Sequence, residues 1–153
     1  MWLPAGNVLN SGTGFLNPVE ETTLTIPSTA TKVITVGAYD ARFDQAAAFS
    51  GRGYTRATNQ VKPDLVAPGV EIMSCAPGGG YQVRTGTSMA TPFVTGSAAV
   101  LMQWGIVNGN DAYLYGEKMK AYLIRGARRL PGFTAYPNPI LGWGALCTAN
   151  SIP

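Results

Sequence analysis

Apolar and polar positions along this chain change period several times, and the changes predict short strands alternating with two helices. Residues 33–38 (VITVGA) make a short apolar, β-branched run of the kind that forms a strand buried on both faces. Residues 70–73 (VEIM) and 81–84 (YQVR) read as two further strands, joined through Pro77-Gly78-Gly79-Gly80 as a hairpin. Residues 22–26 (TTLTI) alternate towards Pro27 and read as an extended segment. Residues 1–18 are rich in Gly, Asn and Pro, predicting a short strand around Trp2-Leu3 followed by loop. Residues 45–50 with Gly51-Arg52-Gly53 read as a loop. From Ser88 onward small and apolar residues run without a break, predicting a helix to about Trp104 with Gly105 as its C′ stop. Residues 116–128 predict a second helix in which Met119, Tyr122 and Leu123 share a core stripe. No internal repeat or low-complexity segment interrupts the series, so residues 1–153 are expected to form one domain.

Composition removes several functional classes. Hydrophobic residues make up 46% and charged residues 12% of the 153, with 11 Lys+Arg against 8 Asp+Glu for a net charge of +3. A domain of this length buries roughly two-thirds of its unfolded surface. The basicity is too slight to imply nucleic acid. Arg125, Arg128 and Arg129 do cluster, but cations near a helix C-terminus complement its dipole. No apolar run approaches the roughly 18 residues of a membrane span, and no secretory signal is read at Met1. Cys75 and Cys147 lie far apart and lack metal-ligand spacing; they read as free buried thiols, with a disulfide the lesser option. The expectation is therefore no cofactor, no nucleic-acid partner and no membrane partner.

Candidate chemistry concentrates at Gly86-Thr87-Ser88-Met89-Ala90-Thr91-Pro92, which sets a serine between a glycine turn and a helix start. A proline in the first turn of a helix costs no hydrogen bond. Ser88 would sit at or near the helix N-terminus, where free N–H groups and the positive dipole end favour developing negative charge. A tetrahedral acyl-transfer intermediate needs that environment for its oxyanion. Taken alone, Gly-Thr-Ser is an ordinary helix cap.

Its neighbours change that reading. The block from Gly86 to Gly96 (GTSMATPFVTG) closely resembles the nucleophile segment of subtilisin-like serine peptidases. Residues 33–39 (VITVGAY), 49–53 (FSGRG) and 62–72 (KPDLVAPGVEI) resemble that family's preceding segments, in the right order. The resemblance is strongest over residues 25–145, and residues 141–146 (LGWGAL) resemble the family's return to the sheet and last helix. It implies an α/β fold, a mostly parallel sheet flanked by helices, as in the C-terminal part of a subtilisin-like domain. It implies Ser88 as the catalytic nucleophile of a serine-type endopeptidase that cleaves peptide or protein substrates through an acyl-enzyme. It explains Gly96 by close packing of helix against sheet.

The chain contains no histidine, so no Ser-His-Asp triad can form within it. In the family the Asp and His blocks precede the serine block. This chain therefore reads as the C-terminal portion of a longer peptidase, with base and orienting acid supplied from outside it. The oxyanion asparagine invites transfer to Asn7 of Pro4-Ala5-Gly6-Asn7, but Pro4 falls where a central strand would run, and Val8-Leu9 replaces a small turn. Asn7 is read as a turn residue. Asp40 stands where some relatives place a weak cation ligand, yet no carboxylate cluster accompanies it; it reads as a solvated turn aspartate. Asp64 reads as capping or pinning a loop and not as an acid–base group. With no metal site expected, the alternative to an enzyme is a non-catalytic scaffold or protein-binding module of the same fold. The missing segments imply exposed edges, hence self-association or contact with a second polypeptide. An extracellular setting is compatible with the resemblance, and the compartment stays open.

Overall fold

The computed structural model describes Leu3 and residues 8–153; Trp2 and Asn7, both named above, lie outside the described residues. Strand β1 is Val36–Asp40, β2 is Gln45–Ala46 and β3 is Leu65–Pro68. β1 lies centrally, antiparallel to β2 and parallel to β3, with Val36 opposite Leu65 and Tyr39 opposite Pro68. The far edge of β3 is partly paired by the chain near its end: Val66 N donates to Gly144 O (2.9 Å) and Leu146 N to Val66 O (2.8 Å).

Both faces of this sheet are covered, as a parallel pair of continuously apolar strands requires. Ala38, Leu65 and Ala67 pack against Ala90, Val94 and Leu101 of helix α1, Thr87–Met102. Tyr39 and Val66 point the other way, onto Leu130, Leu141 and Ala145. A separate ribbon, β4 (Ile72–Cys75) and β5 (Tyr81–Arg84), carries the hairpin read from the sequence and leads directly into α1. After α1 come a π-turn at Gln103–Val107, helix α2 at Gly116–Arg125 and a short α3 at Thr148–Ser151. The fold class is the α/β arrangement expected.

Several boundaries differ for physical reasons. β1 starts at Val36, because Val33 O and Thr35 N are engaged by side chains instead of a strand neighbour. Residues 22–26 form no strand; Thr23 N donates to Arg52 O, and Leu24 alone is buried. The helix stop is Gly109, at φ 75°, and not Gly105, which is buried in the π-turn. A Cβ on Gly105 would stand 3.1 Å from Leu114 and 3.2 Å from the Asp111 carbonyl. Gly96 does not pack on the sheet: it is exposed, with nothing within 4 Å of a Cβ built there. α2 ends at Arg125, so Arg128 is no helix-end cation; its guanidinium bonds Asp44 at 2.8 and 3.1 Å, and Arg129 lies over the Tyr136 ring. Both cysteines are free, but neither is the buried thiol expected: Cys75 is exposed and Cys147 half-buried.

Among the described residues, the most buried ionic cluster ties these elements together. Asp64, 4% exposed, accepts from Lys62 Nζ, Lys120 Nζ and Thr35 N, each at 2.7 Å. Lys62 Nζ also donates to Val33 O at 2.9 Å, and Lys120 Nζ to Thr31 O at 3.1 Å. Asp64 thus pins a loop, as read from the sequence, and joins β1, β3 and α2. Burial holds the Lys62 ammonium below its ordinary range, outweighing the attraction of Asp64. Asp64→Ala should cost about 3–5 kcal/mol, since it leaves two ammoniums without their counter-charge in a dry site. Part of that loss should return at alkaline pH. A lysine whose folded pKa is depressed binds more protons when unfolded, so stability rises with pH until the unfolded form also loses its proton. Urea unfolding at two pH values measures both effects.

A second carboxylate braces the end of α1. Asp111 accepts from Lys118 Nζ (2.6 Å) and Tyr122 Oη (2.8 Å), and its backbone N–H bonds Gly105 O (2.9 Å). The hydrogen bond from Lys118, then that from Tyr122, holds its carboxyl below the ordinary carboxylate range. This contribution is present above the unfolded pKa of about 3.9 and is lost as pH falls through the folded one. Thermal melts of wild type and Asp111→Asn should therefore converge on acidification below about pH 4.

Candidate active site

Ser88 occupies the second position of α1, within its first turn, directly after β5 and the turn at Thr85-Gly86. The placement is the one read from the sequence. Its side chain is exposed. Neighbouring hydroxyls are engaged with the helix backbone: Thr91 Oγ1 donates to Thr87 O (3.1 Å), Thr95 Oγ1 to Thr91 O (3.2 Å) and Ser97 Oγ to Phe93 O (2.9 Å). Ser88 has no helical carbonyl four residues before it to bond in this way. Its backbone N–H belongs to the first turn, whose donors lack intrahelical acceptors and sit at the positive end of the dipole.

Pro92 stands at the sixth helical position, in the second turn, a correction to the expectation of a first-turn proline. Its nitrogen cannot donate to the carbonyl four residues earlier, which is that of Ser88. The helix thus begins around Ser88 with fewer internal bonds than a regular helix has.

The turn is held to the carboxyl end of the parallel sheet. Gly86 N donates to Gly69 O at 2.8 Å, and Gly69 N to Tyr39 O at 3.0 Å, so the serine turn is two bonds from β1. Gly69 has to be a glycine. A Cβ there would lie 2.6 Å from that of Ala38 and 2.9 Å from Gly86 O. Ligand sites of open α/β sheets lie beyond the carboxyl ends of the strands, where this turn stands.

An apolar recess of about 340 Å³ opens beside the serine, lined by Ile72, Met73 and Ser74 of β4 and by Met89, Pro92 and Phe93 of α1. The ribbon that walls it was read from the sequence, but the recess it shares with Pro92 and Phe93 was not. Asp40 lies elsewhere, bonded through its carboxylate to Arg42 at 2.7 and 3.0 Å, which holds it below the ordinary carboxylate range. Among the described residues no cluster of three His, Cys, Asp or Glu could hold a metal ion. Asp64 is buried in its own ion cluster, and Asn7 is outside the described residues.

An exposed serine at the start of a helix that covers a mixed α/β sheet is the arrangement that the resemblance to subtilisin-like peptidases implies. Residues 4–144 match the Peptidase_S8 model of the subtilase family, and the chain belongs to that family. It is 34% identical over 169 residues to the serine protease AprX of Bacillus subtilis, covering 97% of this chain and 36% of the relative. The structure of the Clostridium perfringens CspB protease superposes with a TM-score of 0.88 at 48% identity, over 94% of this chain and 30% of that one. The prenylagaramide maturation protease PagA superposes with a TM-score of 0.67 at 29% identity, over 87% of this chain and 46% of that one. The chain spans about a third of the length of AprX and of CspB.

Gly69→Ala should destabilise the protein by about 1–3 kcal/mol through overpacking against Ala38 and the Gly86 carbonyl. At roughly 2–4 °C per kcal/mol for a chain of this size, the melting temperature should fall by several degrees. Calorimetry checks this, and an unchanged melt would mean the approach of the two loops is not tight.

Proposed function

We propose that Ser88 is the nucleophile of a subtilisin-like serine endopeptidase. Its hydroxyl attacks a peptide carbonyl, its backbone N–H helps hold the oxyanion, and water hydrolyses the resulting acyl-enzyme. The observation that carries this reading is the exposed Ser88 hydroxyl at the N-terminal turn of α1, tied through Gly86 and Gly69 to the sheet. The substrate is a peptide or protein whose extended backbone passes the β5 side of the turn.

The general base is not in this chain, which has no histidine. The histidine and its orienting aspartate come from polypeptide outside these residues, in the roles the Ser-His-Asp triad assigns them. In subtilisin, the reference case for such losses and a member of this family, removal of the histidine alone costs about six orders of magnitude in kcat. The chain by itself is then inert toward peptides. The same absence of histidine favours a second reading, a subtilase-fold scaffold that binds protein without cleaving it.

Fluorophosphonate labelling with chemical rescue separates the two. The chain alone should label no faster than Ser88→Ala. Added imidazole, standing in for the missing base, should raise labelling at Ser88 as pH rises through about 6.5, where an imidazole becomes neutral. Peptide mapping should place the adduct on Ser88. Failure of imidazole to rescue would favour the scaffold, and rapid stoichiometric labelling without it would mean that a base lies within the chain.

A further inference from the structure

We propose that a cleft at the end of the sheet remote from Ser88 is a binding site for an acidic peptide segment, with Arg56 as its carboxylate receptor. The proposal does not rest on Ser88 being a nucleophile.

The cleft, of about 320 Å³, lies between the stretch 22–29 and the loop 54–58. Its walls are joined through the backbone: Thr22 N donates to Gly53 O (3.4 Å) and Thr23 N to Arg52 O (2.9 Å). Beneath them Gly53 N donates to Lys62 O (2.9 Å), and a Cβ on Gly53 would overlap that carbonyl. The loop is also closed on itself. Thr55 N donates to Gln60 O (3.0 Å), Asn59 N to Thr55 O (2.9 Å) and Gln60 N to Thr55 Oγ1 (2.8 Å). The cleft is therefore preformed, and a ligand does not have to order it. Lys62 comes just before β3, so the cleft lies at the amino end of that strand, whereas the serine turn is tied to the carboxyl end through Gly69 and Gly86. The length of the sheet separates the two.

Leu24, Ile26, Tyr54 and Ala57 make the lining mainly apolar, and Ile26 is 75% exposed and Tyr54 37%. Among the described residues, Arg56 is the one charged side chain in this lining and forms no ion pair. Nearby cations are already satisfied: Arg52 pairs with Glu20 and Lys62 with Asp64. An adjoining recess that Arg56 also lines carries Glu21, which repels a second carboxylate and leaves the Tyr54 side for the ligand's acid. A free guanidinium presents a planar fork of donors that fits a carboxylate with two parallel bonds, each stronger than a bond to a neutral acceptor. The apolar walls suit hydrocarbon side chains on the residues next to that acid. A volume near the small end of ligand pockets holds a few residues of extended peptide. An inorganic anion would satisfy Arg56 and leave the walls uncovered. The ligand is thus an aspartate or glutamate flanked by apolar residues.

The test is fluorescence anisotropy of a labelled peptide with the core Leu-Glu-Leu, titrated with this chain. Binding should be saturable and should weaken with added salt. The Leu-Gln-Leu counterpart should bind about tenfold or more weakly, the loss of a charge-assisted pair. Arg56→Gln should weaken the Leu-Glu-Leu peptide to the same degree, and Arg56→Lys less, since a point charge replaces the fork. Ile26→Asp should weaken it through the apolar wall. Arg84→Gln, which removes another exposed arginine, and Phe93→Asp, in the recess beside Ser88, should leave it unchanged. Circular dichroism should be the same for every variant. The absence of saturable binding, equal affinity for the glutamate and glutamine peptides, or equal loss with Arg56→Gln and Arg84→Gln overturns the proposal. So does displacement by inorganic phosphate as effective as displacement by unlabelled peptide, which would mean a simple anion site. Loss with Phe93→Asp and not with Arg56→Gln would put the peptide beside Ser88 and overturn it as well.

Discussion

Much of the described fold depends on one buried carboxylate. Asp64 receives Lys62 and Lys120 as counter-ions and the backbone N–H of Thr35 as a third donor. A carboxylate removed from water is tolerated only when its oxygens are satisfied, and here every donor comes from a different stretch of chain. Asp64 N donates to Thr35 O and Trp143 N to Asp64 O, so the backbone of the same residue is also shared between β1 and the C-terminal segment. Sliding β3 against β1 by one residue would break the side-chain and backbone bonds together. The register fixed there carries, through Gly69 and Gly86, to the position of Ser88.

What could be read in the sequence divides along the range of the forces involved. The turn and helix at Gly86–Ser88 and the β4–β5 hairpin are local: glycine, proline and a change of hydrophobic period specify them within about ten residues. β3 was not separated as a strand, since its four residues end in Pro68 and its partners are Val36 to Tyr39, far back in the chain. β2, two residues long, has almost no pattern to detect. Gly105 and Gly109 are equally good helix stops by rule; only the packing of Leu114 into the space beside Gly105 distinguishes them. Arg128 was assigned to a helix end because its partner, Asp44, is distant in sequence.

Gly96 shows how a local rule and a family expectation can both miss. Propensity makes it a cost of about 1 kcal/mol against alanine, and packing on the sheet was the expected compensation. The sheet lies on the other side of the helix, against Ala90, Val94 and Leu101. Among the described residues nothing packs on Gly96, so its cost in helix propensity is not offset by a contact there.

The same reasoning bears on how Ser88 is to be understood. An isolated serine hydroxyl at a helix start is a weak nucleophile; its environment has to remove a proton and hold a negative charge. The described residues offer the second function, through the N-terminal donors of α1 and a turn anchored to the sheet. They offer no group for the first, since the nearby side chains of the recess are apolar or hydroxylic. Positioning of the Ser88 hydroxyl and supply of a base are therefore separable: the fold of the described residues accounts for the first without the second.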